Sequence, residues 1–299
     1  MRQLERRRLG ATGLEVTLAG FGALEIGRDW GIGDEVVRRR PDDAEAAAVL
    51  NGVLDLGIRL IDTARAYHRS EERIGAAIAH RRGEYVLATK CGEHSREPDT
   101  YYDFSYAAVR DSIALSRRLL NTDIIDILQI HFGPDPERVL DDGETLRAMR
   151  EARDQGHVRL LGASPPTTLL RRCIDSGDFQ VLQVACSLLD QSAVDLIARA
   201  ADRGIGVLIR SGLGAGWLTG RALAVPPAQR PARVNALLEL VEGDADRLHH
   251  LALAFLRGQP GISSVLIGTK SLSNLRRNLD LLSQPVDSEL LARAVAVAR

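Results

Sequence analysis

The chain has 299 residues, with 39 Lys or Arg against 40 Asp or Glu, a formal charge of −1 and 45% apolar residues. So even a balance leaves no basic surface for nucleic acid, and the triplets at 6–8 and 38–40 (RRR) read as solvated faces. No stretch approaches the roughly 18 apolar residues of a membrane span, residues 1–10 lack an apolar secretory core, and Cys91, Cys173 and Cys186 are too few and too scattered for a disulfide framework or a zinc cluster, so a cytoplasmic protein is expected.

Residues 6–17 read as two short strands about a glycine turn, a hairpin. Residues 18–27, LAGFGALEIG, are apolar and glycine-rich, a strand whose end something approaches closely at Gly20 and Gly22. Residues 28–41 form an irregular polar loop holding Trp30, and Asp42 or Asp43 caps a helix to about Leu56. The stretch LIDTARAYHRSEERIG, 60–75, comes next. Its apolar run ends on Asp62, a polar turn carries Tyr67, and a helix opens at Ser70 with Glu71 and Glu72 in the first turn. Taken alone, Asp62 capping a turn and Tyr67 packing in a loop is the simpler reading. Glu71 suits the positive end of a helix dipole.

A rhythm then sets in. Apolar runs at 58–62, 85–90, 124–131, 158–163, 179–186, 205–210 and 263–268 read as strands, with helical periodicity at 70–81, 105–120, 142–155, 166–176, 191–203, 233–257 and 271–282. Continuous apolar runs are the mark of strands buried on both faces. With the strand near 18–22 they predict a (β/α)8 TIM barrel, one domain over 1–299. The hairpin would close its bottom, and an extra C-terminal helix at 287–297 would pack outside.

Polar residues gather where these strands end: Asp62, Lys90, His131, Ser164, Gln183, and Arg210 with Ser211. In a barrel such ends meet at one mouth. A buried Lys needs a carboxylate, and Asp62 is the candidate. A Lys beside a Tyr favours phenolate, which brings a phenol within range of acid–base work near neutral pH. His131 can bond the same substrate oxygen. His249 and His250, on an apolar helix and without metal-binding spacing, read as packing and surface residues, and no metal is expected.

Asp62-Thr63-Ala64-x-x-Tyr67, followed by Ser70-Glu71 and Ile74-Gly75, resembles the aldo-keto reductase signature. Thr89-Lys90, ILQIH ending at His131, Gly156-His157-Val158-Arg159 with Gly162-Ala163-Ser164, Leu182-Gln183, Arg210-Ser211 through Leu218-Thr219-Gly220, and Ile267-Gly268 through Asn278 resemble further blocks of that family in order, from about residue 6 to 282. The resemblance implies NAD(P)H-dependent reduction of a carbonyl, or its reverse. Tyr67 would be the general acid/base, Lys90 would lower its pKa, Asp62 would pair with Lys90, and His131 would orient the carbonyl. Ser164 and Gln183 would hold the nicotinamide carboxamide, and Arg210 would stand where many members stack a Tyr. Gly22, Ser211, Leu213, Gly214, Gly216 and Gly268 would line the cofactor. Lys270 and Ser271 would meet a 2′-phosphate, which favours NADP over the still-open NAD, and Asn274 and Asn278 would touch adenine. The chain departs from the family at Pro165, where Asn is usual and whose ring nitrogen cannot donate, and at Cys186, read as a small packing residue.

Substrate contacts are expected from Trp30, Tyr101, Tyr102 and Phe132, each of which can equally be loop packing; Tyr101 and Tyr102 precede a helix capped by Ser105. The short tail favours an open site for a small or sugar-like carbonyl compound. Two other readings stay open: a cofactor-binding homologue that regulates a partner protein, and a lyase or hydrolase using Asp62 and Glu71.

Overall fold

The computed structural model describes residues 4–31 and 35–299. Part of the expected loop 28–41, at 32–34, and residues 1–3 of the N-terminal stretch lie outside them.

Two strands, β1 (Arg6–Arg8) and β2 (Glu15–Thr17), pair antiparallel as the predicted hairpin. Eight parallel strands follow: β3 (Ala19–Gly22), β4 (Leu60–Asp62), β5 (Val86–Cys91), then, past an inserted pair β6 (Glu93–Arg96) and β7 (Asp99–Tyr102), β8 (Ile125–His131), β9 (Val158–Ser164), β10 (Val181–Ala185), β11 (Gly206–Arg210) and β12 (Ile262–Gly268). They close into a barrel in chain order, with β12 hydrogen-bonded to β3. The (β/α)8 expectation holds, and the helix Ser288–Val297 follows the last barrel helix.

The barrel interior is built in two chemically different layers. Side chains alternate across a strand with period two, so every second residue points inward. The lower layer is apolar: Leu60, Ala88, Ile127, Val181 and Leu208 meet Leu9 and Val16 of the hairpin, which plugs the bottom. Two residues further along the same strands stand Asp62, Lys90, Gln129, Gln183 and Arg210. One register step thus turns a dry plug into a ring of polar groups. A much larger apolar shell fills the space between strands and helices, with Phe21, Ile61, Leu87 and Ile130 fully buried.

Local chemistry sets the helix ends. Asp42 accepts from Glu45 N while Glu45 reaches back to the Asp42 N–H, a reciprocal cap that starts the helix Asp43–Asp55. Ser105 caps Tyr106–Leu119 and Asp287 caps Ser288–Val297. Several expectations change: the loop expected over 28–41 holds a short helix, Glu35–Arg38. The helix expected over 233–257 is two, Ala232–Leu240 and Ala245–Gly258. Glu242 and Gly243 turn left-handed (φ 57 and 79°), and Asp244 caps the restart. The helix expected at 142–155 runs Glu144–Asp154 and is preceded by another, Pro136–Asp142, with Gly143 left-handed between them. The β6–β7 hairpin was not legible: its polar strands, EHSR and DTYY, lack apolar alternation.

Gly75 lies where the helix Ser70–Ile78 crosses the end of Tyr106–Leu119. A Cβ there would sit 2.0 Å from the Leu119 carbonyl oxygen and 2.9 Å from the Leu120 carbonyl carbon. Backbone, not a flexible side chain, would have to move. Gly75→Ala is therefore expected to cost about 2–3 kcal/mol by overpacking, read as a lowered urea midpoint. Gly83→Ala, where a Cβ meets nothing within 4 Å, should stay within about 0.5 kcal/mol of the parent.

Candidate active site

The four residues expected to carry the chemistry come together at the C-terminal rim. Lys90 is 1% exposed and Asp62 3%, so neither charge could stand alone. Lys90 Nζ lies 2.6 Å from Asp62 Oδ2 and donates to the Thr63 carbonyl at 2.9 Å and to Tyr67 Oη at 3.4 Å. The other oxygen of Asp62, Oδ1, accepts from Gln183 Nε2 at 2.8 Å and Gln129 Nε2 at 2.9 Å. A buried carboxylate with three donors is a satisfied one. Gln129 was missed in the sequence, although its place two residues before His131 on β8 aims it into the barrel. Among the described residues its Oε1 has no hydrogen-bond partner.

Burial works against the Lys90 charge, but Asp62 and Tyr67 outweigh it and its pKa lies above the usual ammonium value. For Tyr67 the balance departs from the expectation. Burial raises its pKa, Lys90 pulls down and Asp62 pushes up; the sum is above the usual phenol. A 3.4 Å contact through a Lys already engaged by Asp62 does not offset the desolvation of the half-buried phenol. Tyr67 therefore rests as the neutral acid.

His131 presents its ring edge-on to Tyr67, centroids 6.0 Å apart. Its Nδ1 stands 2.9 Å from Oε2 of Glu93, a close charge contact rather than an aligned hydrogen bond. Burial pushes the imidazole below its ordinary pKa, and Glu93 opposes this. Glu93 pays its own desolvation, but His131 and Thr100 hold it down to about 2. Glu71 is also more than a helix-start residue. It is wholly buried, accepts from Thr89 Oγ1 at 2.6 Å and pairs with Arg65 at 3.0 Å, which ties the helix Ser70–Ile78 to β5 beside Lys90.

A cleft runs from this mouth between the loop after β11 and the start of the helix Leu272–Ser283. Ser211, Leu213, Gly216, Gly268, Asn274 and Asn278, six of the residues singled out in the sequence, line it. Gly22 pairs with Gly268 across the β3–β12 seam, and a Cβ on Gly22 would meet Gly268 backbone at 3.7 Å, so two bare backbones floor this end. Ser211 and Ala215 sit left-handed, at φ 59 and 54°, the kind of backbone strain that gathers at binding loops. Gly214 does not face the cleft: its missing side chain would point at Leu189 and Leu218. Ser271 caps the helix through Asn274 N at 3.3 Å, and Lys270 donates to the carbonyls of Val37, at 2.7 Å, and Arg39. His249, read from sequence as packing, is buried but also lines the cleft: its Nε2 lies 2.9 Å from Asn278 Oδ1, while Asn278 Nδ2 donates to Asn274 O at 2.7 Å. Glu25 and Arg221 approach to 3.8 Å, joining the loops that follow β3 and β11.

Ser164 ends β9 opposite His131, and Arg210, half-buried, lies 3.5 Å from the Pro165 carbonyl with its pKa lowered by burial. Of the aromatic candidates, Trp30 lines this same cleft. Tyr101 stacks on His94 at 5.0 Å and carries Arg96 at 4.5 Å. Tyr102 stacks on Phe104 and covers Gly133, and Phe132 packs on the core. Cys186 is buried with its thiol pushed up to about 12, an inert packing residue.

The aldo/keto reductase family model matches residues 19–299. The chain belongs to the aldo/keto reductase family. It is 31% identical to L-galactose dehydrogenase of Arabidopsis thaliana over 99% of this chain and 95% of that one. It is 26% identical to NADH-specific methylglyoxal reductase of Escherichia coli over 92% of each. The holo form of the aldo-keto reductase AKR11C1 from Bacillus halodurans shares the fold, with a TM-score of 0.81, 24% identity, and coverage of 99% and 97%. This aldo/keto reductase is thus an NAD(P)H-dependent oxidoreductase on a closed parallel barrel.

Removing the Lys90 ammonium would strand Asp62 with two amide donors. Lys90→Met is expected to cost about 3–5 kcal/mol, the penalty for an unpaired buried charge. Lys90→Met with Asp62→Asn should recover part of it. Urea unfolding of both variants and the parent measures the difference.

Proposed function

We propose that this enzyme interconverts a carbonyl compound and its alcohol, with Tyr67 as general acid/base and NADP(H) as the preferred cofactor. The observation that carries the reading is the enclosed contact of Lys90 Nζ with both Asp62, at 2.6 Å, and Tyr67 Oη, at 3.4 Å. A bound nicotinamide supplies or accepts the hydride. Everything else is asked of the chain. Tyr67, neutral at rest, gives its proton to the carbonyl oxygen as negative charge develops there. Lys90 then steadies the phenolate, and Asp62 keeps Lys90 charged and aimed. His131 holds the substrate oxygen beside Tyr67.

The glycine-floored cleft fits an extended dinucleotide. Ser164, Gln183 and Arg210 stand at the nicotinamide end. Gln183 gives its amide nitrogen to Asp62, which leaves its oxygen for the carboxamide. Ser211, Leu213 and Gly216 pass along the phosphates, and Asn274 and Asn278 meet the adenine. Lys270 spends two N–H groups on carbonyls and keeps one for a 2′-phosphate oxygen, with Ser271 beside it. The polar rim set by Glu93, Thr100 and Tyr102, together with the names of the relatives, supports a small or sugar-like carbonyl substrate. The buried, unpaired thiols of Cys91, Cys173 and Cys186 suit the reducing cytoplasm.

Fluorescence titration with NADPH and NADH, then single-turnover oxidation of the bound cofactor over a panel of aldehydes, ketones and aldoses, tests the reading. Tighter binding of NADPH and turnover of at least one class are expected; quenching by neither nucleotide sinks it. Tyr67→Phe should lower turnover by about 10²–10⁴-fold, the usual worth of a positioned acid, with nucleotide affinity nearly unchanged. Retained turnover would show that the proton comes from elsewhere.

A further inference from the structure

His249 is only 6% exposed, yet it lines the cleft from a helix of its own. That helix, Ala245–Gly258, starts where Asp244 accepts from the amides of Asp246 and Arg247. Leu248, Leu251, Ala252 and Phe255 join it to the apolar shell. It packs along Leu272–Ser283, where His249 meets Asn278. An apolar side chain at 249 would serve the packing. A buried imidazole is costly unless its polar atoms are bonded.

The bond it makes has a fixed polarity. A backbone carbonyl can only accept, so the end of the Asn278 amide that lies 2.7 Å from Asn274 O is its nitrogen. The other end, Oδ1, therefore faces His249 Nε2 at 2.9 Å. Two acceptors at that separation would repel, so Nε2 carries a proton. Burial, with His250 adding to it, holds the ring below its ordinary pKa. The ring is then neutral and has a single N–H, which goes to Asn278. One carbonyl thus sets the direction of a chain of three groups that links the two helices.

We propose that His249 is a positioning residue that holds the Asn278 amide in the one orientation that reads a 6-aminopurine and rejects a 6-oxopurine. The inference rests on the reading of the cleft as the dinucleotide site. A primary amide has two N–H groups and two oxygen lone pairs. Asn274 O takes one N–H and His249 takes one lone pair, which leaves one of each. Adenine offers an amino donor beside a ring acceptor, and an Asn amide pairs with both at once. Hypoxanthine has a carbonyl oxygen in place of the amino group, and that oxygen would meet the remaining lone pair of Oδ1. With His249 in place, turning the amide over breaks two bonds and sets an N–H against an N–H. Without it, only the Asn274 contact resists the turn, and the amide can present its nitrogen to either base.

The test titrates the full chain with NADPH and with its hypoxanthine counterpart, followed by tryptophan fluorescence, since Trp30 lines the cleft. The wild type should bind NADPH about 10-fold tighter than the hypoxanthine form, a measurement that needs no variant. His249→Leu should weaken NADPH by about 5–10-fold and the hypoxanthine form hardly at all, so that the ratio shrinks to about 2–3-fold. A merely structural histidine would weaken both alike. His249→Gln, whose amide N–H can replace that of the ring, should keep the wild-type ratio. In an Asn278→Ala background, His249→Leu should change NADPH affinity by less than about 2-fold, because the coupling between the two residues is gone. Equal affinity of the wild type for the two nucleotides overturns the proposal, as does an unchanged ratio in His249→Leu. A full His249→Leu effect in the Asn278→Ala background overturns it too, since the ring would then touch the nucleotide itself. Binding of neither nucleotide by the wild type sinks the dinucleotide reading of the cleft and this proposal with it, whereas equal binding of both sinks this proposal alone.

Discussion

The buried pair of Lys90 and Asp62 is the constraint on which the rest of the mouth depends. Two charges in so dry a place are tolerable only because each is saturated: the ammonium by Asp62, the Thr63 carbonyl and Tyr67, the carboxylate by Lys90, Gln129 and Gln183. These partners come from β4, β5, β8 and β10 and the turn after β4. The pair therefore ties one side of the barrel to the other at the level where substrate would sit. It also aims Lys90 at the phenol of Tyr67, so one ammonium both neutralises the buried carboxylate and meets the phenol.

What puts charges there is the register of the strands over an apolar floor. The hairpin residues Leu9 and Val16 fill the bottom with Leu60, Ala88, Ile127, Val181 and Leu208. Side chains one inward step higher have no such plug above them and open on the mouth. The same alternation explains why the site was largely readable in the chain. Each barrel strand is an apolar run that ends on a polar residue, and the runs follow one another with helical segments between. Asp62, Lys90, His131 and Gln183 could be placed on that basis. Gln129 could have been, since its spacing from His131 gives it the same face; within the run ILQIH it stood out less than the histidine that ends the strand.

Other parts were illegible for physical reasons. Glu93 reaches His131 through a hairpin with no apolar alternation, held by a threonine hydroxyl and stacked rings rather than by a core. His249 sits on a helix whose buried face is mostly leucine and alanine, and only the tertiary fold sets it against Asn278. Gly214 belongs to a loop whose neighbours do line the cleft, but the left-handed turns at Ser211, Gly214 and Ala215 rotate it away. Sequence spacing gives order along a loop and not the direction each residue faces.

The electrostatics of Tyr67 show where resemblance and structure part. A neighbouring ammonium favours phenolate, and that holds here as far as it goes. Yet the same burial that strengthens the Lys90 contact raises the phenol's pKa, and Asp62, needed to keep Lys90 charged, pushes the phenol back toward its neutral form. One cation shared between a carboxylate at 2.6 Å and a phenol at 3.4 Å serves the nearer partner first. Tyr67 is thus held in its neutral form, the one that carries a proton to give.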